Sequence, residues 1–264
     1  MTLFEESDYI GAVPECYIGL WQRRLLEDAR GIDTRTQVYW LQSGSLYADI
    51  RLPVERNTAG GVALQQGFAG ALEIEGSILT WRRWLDFQPP TAVADVGRIR
   101  FTGLDEMIEE GVHADYREVW ERIGAASSDR AAFSLQAEYP HDGIPRRRAG
   151  VLVMVGDDFM FALDRLAALP AGQGLADLAV QDELANDLRE QLFACEISLG
   201  RRHGPRPWEI LHSTLPAHEG QCLFDVHGAL VQTQQTHIFE QQSPDGGVRR
   251  IWRQVEQGAR FHAF

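Results

Sequence analysis

Cys16-Tyr17-Ile18-Gly19-Leu20-Trp21-Gln22-Arg23, then Thr36-Gln37-Val38-Tyr39-Trp40-Leu41-Gln42, then Ser43-Gly44-Ser45, then Leu46-Tyr47-Ala48-Asp49-Ile50-Arg51-Leu52-Pro53: this stretch decides the fold. Three aromatic-rich strands lie nearly end to end, and the second and third are joined by a Gly-bearing turn. The first opens on Gly19-x-Trp21, the way small antiparallel barrels of the lipocalin type begin. Glycine lets the first strand bend, and the Trp plugs the closed end.

Working outward, period-two patterning dominates. Phe68, Gly70, Leu72 and Ile74 alternate with small or acidic neighbours, and Glu75-Gly76 turns the chain into a strand over 77–87. Ala131, Phe133, Leu135 and Tyr139 alternate in the same way, as do Phe193, Cys195, Ile197 and Leu199, and then Trp208, Ile210 and His212. Such alternation predicts strands with one face buried. The strand expected at 116–123 would close a first barrel, and Ala125-Ala126-Ser127-Ser128-Asp129 is small and polar enough to be a seam. Seven to nine strands fit on either side. The expected fold is therefore all-β: two tandem calycin/lipocalin-like antiparallel β-barrels, residues 1–127 and 128–264. Helical spacing of Leu175, Leu178, Leu184, Leu188 and Leu192 adds one short capping helix.

The same order of residues resembles a known family. Trp40-Leu41, Leu46 to Pro53, Arg56, Trp81-Arg82-Arg83-Trp84, Gly111, Arg117-Glu118-Val119-Trp120 and Gly150 to Gly156 follow the pattern of the fungal HRI family, which is unrelated to the kinase of similar name. The resemblance spans most of the chain. It implies two calycin-like barrels and no assigned activity, so it carries over no catalytic residue.

Composition narrows the function classes. All 25 basic residues are Arg, and the formal net charge is −13. Without Lys there is no Schiff-base or lysine general-base chemistry. Without a clustered positive field, nucleic acid is not an expected partner; Arg146-Arg147-Arg148 reads as a solvated strand entry. Cys16, Cys195 and Cys222 are too scattered for a metal knuckle or a disulfide framework. The acidic start of the chain lacks signal-peptide character, and no apolar run is long enough for a membrane span. A cytoplasmic location is the expectation. Gly-x-Ser-x-Gly, phosphate-loop and dinucleotide fingerprints are all missing, so no cofactor is expected.

The candidate site is an Arg–carboxylate network on barrel strands. Asp49 and Arg51 are two residues apart and share a face, as do Trp84 and Asp86 in this reading. Arg83 and Glu118 would join them, with Trp40, Trp84 and Tyr47 as aromatic walls and Trp81 and Trp120 nearby in sequence. Such a pocket would bind a small apolar or aromatic ligand and orient its acidic group through Arg51 or Arg83. The competing reading of the same residues is an Arg stacked on a Trp that seals the barrel end, with no ligand. His203, His212, His218, His227, His237 and His262 crowd the last quarter. They show no metal-ligand spacing, so no metal is expected, although His212 should face inward. Two other functions stay open on this scaffold. One is a cofactor-free isomerase, cyclase or hydratase; the other is a protein-interaction scaffold with filled barrels and an exposed apolar patch.

Overall fold

The structure is a computed structural model that describes residues 12–56, 59–124, 127–224, 230–233, 237–242 and 247–257. The first half holds β1 (Gly19–Asp28), β2 (Gly31–Asp33), β3 (Gln37–Gln42), β4 (Leu46–Leu52), β5 (Gln66–Glu75), β6 (Ile78–Asp86), β7 (Asp95–Phe101), β8 (Glu106–Gly111) and β9 (Tyr116–Arg122). Neighbours in the order β1-β3-β4-β5-β6-β7-β8-β9 pair antiparallel, and β9 pairs back onto β1. That closes an eight-strand barrel, with β2 folded back on the far end of β1 as a short hairpin arm. Closure gives every barrel strand a partner on each side, although β6 meets β7 only over Ile78 to Trp81.

One end of this barrel is plugged. Gly19 takes φ 129°, a backbone open to glycine, and turns the chain in from a short 3-10 helix at Glu15–Tyr17. Trp21 then points into the barrel, donates from Nε1 to the Tyr17 carbonyl at 2.7 Å, and lies under the Arg122 guanidinium at 4.5 Å. Arg122 is tied to Asp105 at 3.0 Å. The Arg–Trp stack at this end is thus built from Trp21 and Arg122, neither of them in the Arg51–Arg83 network for which such a seal was considered; Arg51 and Arg83 stack on Phe68 instead.

The second half holds β10 (Arg130–Pro140), β11 (Gly150–Val155), β12 (Asp158–Leu163), β13 (Glu196–Arg201), β14 (Glu209–Ser213), β15 (Val231–Gln232), β16 (Ile238–Gln242) and β17 (Val248–Gln257). They form one antiparallel sheet in the order β14-β13-β12-β11-β10-β17-β16-β15. Its strands wrap round a common core that includes Phe133, Phe161, Ile210, Phe239 and Trp252. No pairing joins β14 to β15 among the described residues, so this half is described as a wrapped sheet and the first half as a closed barrel. Of the seam, Ala125 and Ala126 lie outside the described residues, as do His227 and His262.

Period two understates how deeply the central strands are buried. Every residue of β11 is buried, and in β4 only Arg51 is not fully so. Both strands lie in the layer where the halves meet. Leu46, Ala48 and Ile50 of the barrel's outer face pack against Val151, Val153 and Ile197 of the sheet. A strand covered on both faces loses its polar alternation, which is why Val151-Leu152-Val153-Met154-Val155 reads as one apolar run. Polar ties cross the same boundary, among them Arg165 Nη2 to the Asp86 carbonyl at 2.9 Å and Gln65 Nε2 to the Thr214 carbonyl at 2.9 Å.

Three expectations are corrected. The span 175–192 is not one helix but two, α2 (Leu175–Ala179) and α3 (Asn186–Phe193), and a further short helix, α1, spans Ala59–Ala63. Leu175, Leu178 and Leu192 all reach the core between the halves, so their spacing reported a shared face and not an unbroken helix. Phe193 ends α3, and its strand begins only at Glu196. His212 faces the barrel: its ring stacks on Tyr39 at 5.1 Å. A bulge at Leu211 causes this, since Ile210 opposes Gly200 while His212 opposes Leu199, flipping the parity between them. No helix among the described residues is long and apolar enough to cross a membrane.

Candidate functional site

The end of the barrel opposite Trp21 is open and holds a cavity of about 550 Å³. Arg51, Arg83 and Glu118 line it, together with Arg23, Asp95, Glu109 and Tyr116. Strand alternation puts these groups there. Glu118 is two residues from Tyr116 and from Trp120 on β9, and Glu109 is two from Met107 on β8, so all face the interior.

Beneath the cavity the interior is filled. Trp40 lies 6.4 Å from Trp21, 5.8 Å from Trp81 and 5.9 Å from Trp120, ring centre to ring centre. Tyr47 is fully buried in this cluster, and its hydroxyl has no partner among the described residues. Trp40, Tyr47, Trp81 and Trp120 are therefore the packed floor under a polar chamber, where the sequence reading made Trp40 and Tyr47 walls around a ligand.

Charges in the chamber are arranged in pairs. Arg23 bridges Glu118 at 2.7 Å and Asp33 at 3.2 Å. Arg83 bridges Asp86 at 2.8 Å and also Asp95, with its guanidinium 3.5 Å from the centre of the Phe68 ring. Arg83 and Asp86, three apart on one strand, meet because Trp84 is bulged out: Ala69 opposes Leu85 while Gly70 opposes Arg83. Gly70 permits the bulge, since a Cβ there would stand 1.9 Å from the Arg82 carbonyl oxygen. The bulge turns Trp84 to the outside, against the core between the halves. Trp84 and Asp86 thus do not share a face, and Trp84, expected as a wall of the pocket, does not line the chamber.

Arg51 is the exception to this pairing. Its Nε donates to the buried Asp49 carboxylate at 2.8 Å, and its guanidinium sits 4.9 Å from the Phe68 ring centre. Both Nη groups make no hydrogen bond among the described residues, and 22% of the side chain is exposed to the cavity. Burial pushes the Asp49 carboxyl up against the opposing pull of Arg51. Burial would lower Arg51, but the charges of Asp49, Glu118 and Asp95 outweigh it and hold the guanidinium firmly protonated.

Sequence reasoning missed Arg23, Asp95, Glu109 and Tyr116. Glu109 was detectable, as an acid on the same strand face as the apolar Met107. It accepts from Tyr116 Oη at 2.7 Å and Trp120 Nε1 at 3.1 Å. Burial, then the Glu118 charge, raises its carboxyl well above the usual range. Burial and the Glu109 charge likewise raise the Tyr116 phenol. An acid raised on folding makes the native state the better proton binder, so stability should fall as pH rises from the ordinary glutamate value, about 4.3, toward the raised native one. Glu109→Gln removes that titration; its Oε1 can still accept from Trp120 Nε1, while its Nε2 would donate to Tyr116 Oη. The variant is expected to gain on wild type as pH rises, in urea unfolding from pH 5 to 8; parallel profiles would refute a carboxyl that is protonated in the native state.

Elsewhere, burial pushes the Cys195 thiol up to about 12, as for a core residue and unlike a nucleophile. No cluster of three or more His, Cys, Asp or Glu suited to a metal ion occurs among the described residues.

Neither a family model nor a curated protein matches the sequence. Among solved structures, the chain is similar to the uncharacterized protein YLR301w from Saccharomyces cerevisiae, at 14% identity and a TM-score of 0.52 over 91% of this chain and 98% of that one. That likeness shows the fold. A lipocalin-like protein from Bacteroides uniformis aligns with 41% of this chain and 99% of its own, at 12% identity and a TM-score of 0.31.

Proposed function

We propose that the open end of the first barrel binds a small ligand through an anionic group, most simply a carboxylate, held by Arg51. One observation carries this reading: among the arginines that line the chamber, Arg51 alone keeps both Nη groups uncommitted. Asp49 fixes its Nε and so aims the open edge, and a guanidinium edge of two parallel N–H groups matches a carboxylate. The paired charges around it favour a compact polar ligand over the apolar one suggested by the aromatic residues, which lie beneath the chamber. The residues from Trp40 to Gly156 quoted above support assignment to the HRI type, and the likeness to a yeast protein agrees with the fold that type implies. We divide the chain at residues 127 and 128, between the last strand of the barrel and the first of the sheet. The free thiols Cys16, Cys195 and Cys222 suit a reducing compartment, and we place the protein in the cytoplasm.

The test has two arms. Native mass spectrometry of protein from its own host should show a retained small acid. Thermal-shift titration with a panel of small aliphatic and aromatic carboxylates should find one that stabilises wild type. Loss of a charge-assisted bond of about 1.5–3 kcal/mol in Arg51→Met corresponds to roughly ten- to hundredfold weaker binding. Because Arg51→Met strands Asp49, the double variant Asp49→Asn/Arg51→Met serves as the folded control. A carboxylate bound equally by wild type and the double variant, or no retained or stabilising acid at all, would overturn the assignment.

A second reading, a cofactor-free isomerase, cyclase or hydratase, draws on Glu109 and Tyr116. They place a carboxyl raised by burial and a phenol on the wall of the same cavity, within reach of a proton on a bound substrate. It predicts that Glu109→Gln abolishes turnover of the retained ligand while leaving its affinity intact.

A further inference from the structure

A second cavity, of about 780 Å³, lies outside the barrel, between β6 with its following loop and the segments flanking β11 and β12 of the sheet. Both halves of the chain build it. Trp84, turned out by its bulge, lines it with Leu85 and Leu169, and Arg147, Arg148 and Arg165 line it from the sheet side.

The charges here are not matched as they are in the barrel. Arg148 is held by Glu138 at 2.7 Å and by the Asp164 carbonyl at 2.8 Å, yet its Nε is buried without an acceptor. Arg165, with only 5% of its side chain exposed, comes no nearer a carboxylate than 3.8 Å, from Nε to Asp164. Its Nη2 is fixed on the carbonyls of Asp86 and Phe87, and its Nη1 has no acceptor. Arg147 is exposed and forms no ion pair among the described residues. Two guanidinium groups without a close carboxylate thus stand at one cleft of a chain whose net charge is −13. An anion resting on Arg147 would lie in the field of Arg148 and Arg165 behind it, and charges in a cleft with low-dielectric walls attract more strongly than on open surface.

We propose that this cleft is a separate binding site for a small organic anion with an aromatic or apolar body: the acidic group meets Arg147, and the body lies on Trp84 and Leu169. An aromatic wall beside an uncommitted guanidinium is the pairing that selects such a ligand over inorganic phosphate or a neutral hydrocarbon. The site does not depend on the assignment of the barrel cavity; Arg83, in the wall between the two, touches both.

The probe is the aromatic sulfonate 1-anilinonaphthalene-8-sulfonate, titrated by calorimetry and fluorescence into the full chain, with the uncharged N-phenyl-1-naphthylamine as its partner. Arg147→Glu, at an exposed position, should leave the melting temperature unchanged and weaken sulfonate binding at least tenfold. Arg147→Lys should recover most of it, and Trp84→Ala should weaken both probes at least fivefold. Arg51→Met should leave sulfonate binding within twofold of wild type, which separates this site from the barrel chamber. Equal sulfonate affinity in wild type and Arg147→Glu would overturn the proposal. So would an uncharged probe that binds wild type as tightly as the sulfonate, or a loss that follows Arg51 and spares Arg147.

Discussion

Trp40→Ala should lower the unfolding free energy by about 4 kcal/mol, near the middle of the range for truncating a buried aromatic. Trp40 is 1% exposed, and its ring is surrounded by those of Trp21, Trp81 and Trp120. The barrel is closed, so its wall cannot collapse into the space left behind, and the cavity term should be felt nearly in full. Gln42, whose Oε1 accepts from Trp40 Nε1 at 3.2 Å, would also lose its donor inside the core. Trp40→Phe keeps a ring and should cost about 1–2 kcal/mol, so a usable variant exists if the alanine form does not fold. Urea unfolding followed by circular dichroism gives the comparison. A loss below about 1.5 kcal/mol for the alanine form would mean the chamber's floor is loosely packed, contrary to the geometry.

Glu138→Ala is expected to be equally damaging, by about 3–5 kcal/mol, through charge and not volume. Glu138 is 1% exposed, and its Oε2 accepts from Arg148 at 2.7 Å and from Arg250 at 2.8 Å. Removing it strands two largely buried guanidinium groups. Burial alone would raise this carboxyl, but the bond from Arg148 and the charges of Arg148 and Arg250 outweigh burial and hold it below the usual range. The unfolded chain is then the better proton binder, so the contribution is complete above the ordinary glutamate value of about 4.3 and is lost as pH falls through the depressed native one. Its slope is opposite in sign to that of Glu109. Wild type should therefore lose more stability than Glu138→Gln between pH 5 and pH 3, and a variant that keeps the wild-type acid slope would remove Glu138 from the network.

Much of the fold was legible in the residues. Gly19-x-Trp21, the Ser43-Gly44-Ser45 turn and the alternation of Phe68, Gly70, Leu72 and Ile74 each report a local preference, and each landed on the expected strand or turn. The site was legible only in part. Asp49 and Arg51 fell on one face because no bulge intervenes between them. Trp84 and Asp86 did not, because the bulge opposite Gly70 shifts parity within β6, and His212 departed from Ile210 for the same reason in β14. Glu118 was expected to join Asp49 and Arg51, but its ion pair is with Arg23, which lies 95 residues away along the chain.

What the sequence determined by itself is therefore the run of strands, the direction of the first one into a plugged end, and the absence of lysine chemistry. These follow from side-chain period, turn residues and composition, which are local or global properties of the chain and need no partner. Tertiary structure decided which strands are covered on both faces, which aromatics pack as a floor, and which arginines are left with open edges. Such outcomes depend on pairing register and on charges brought together from distant positions. A one-residue bulge, set by the close approach of Gly70 to the Arg82 carbonyl, is enough to move a tryptophan from one cavity to another.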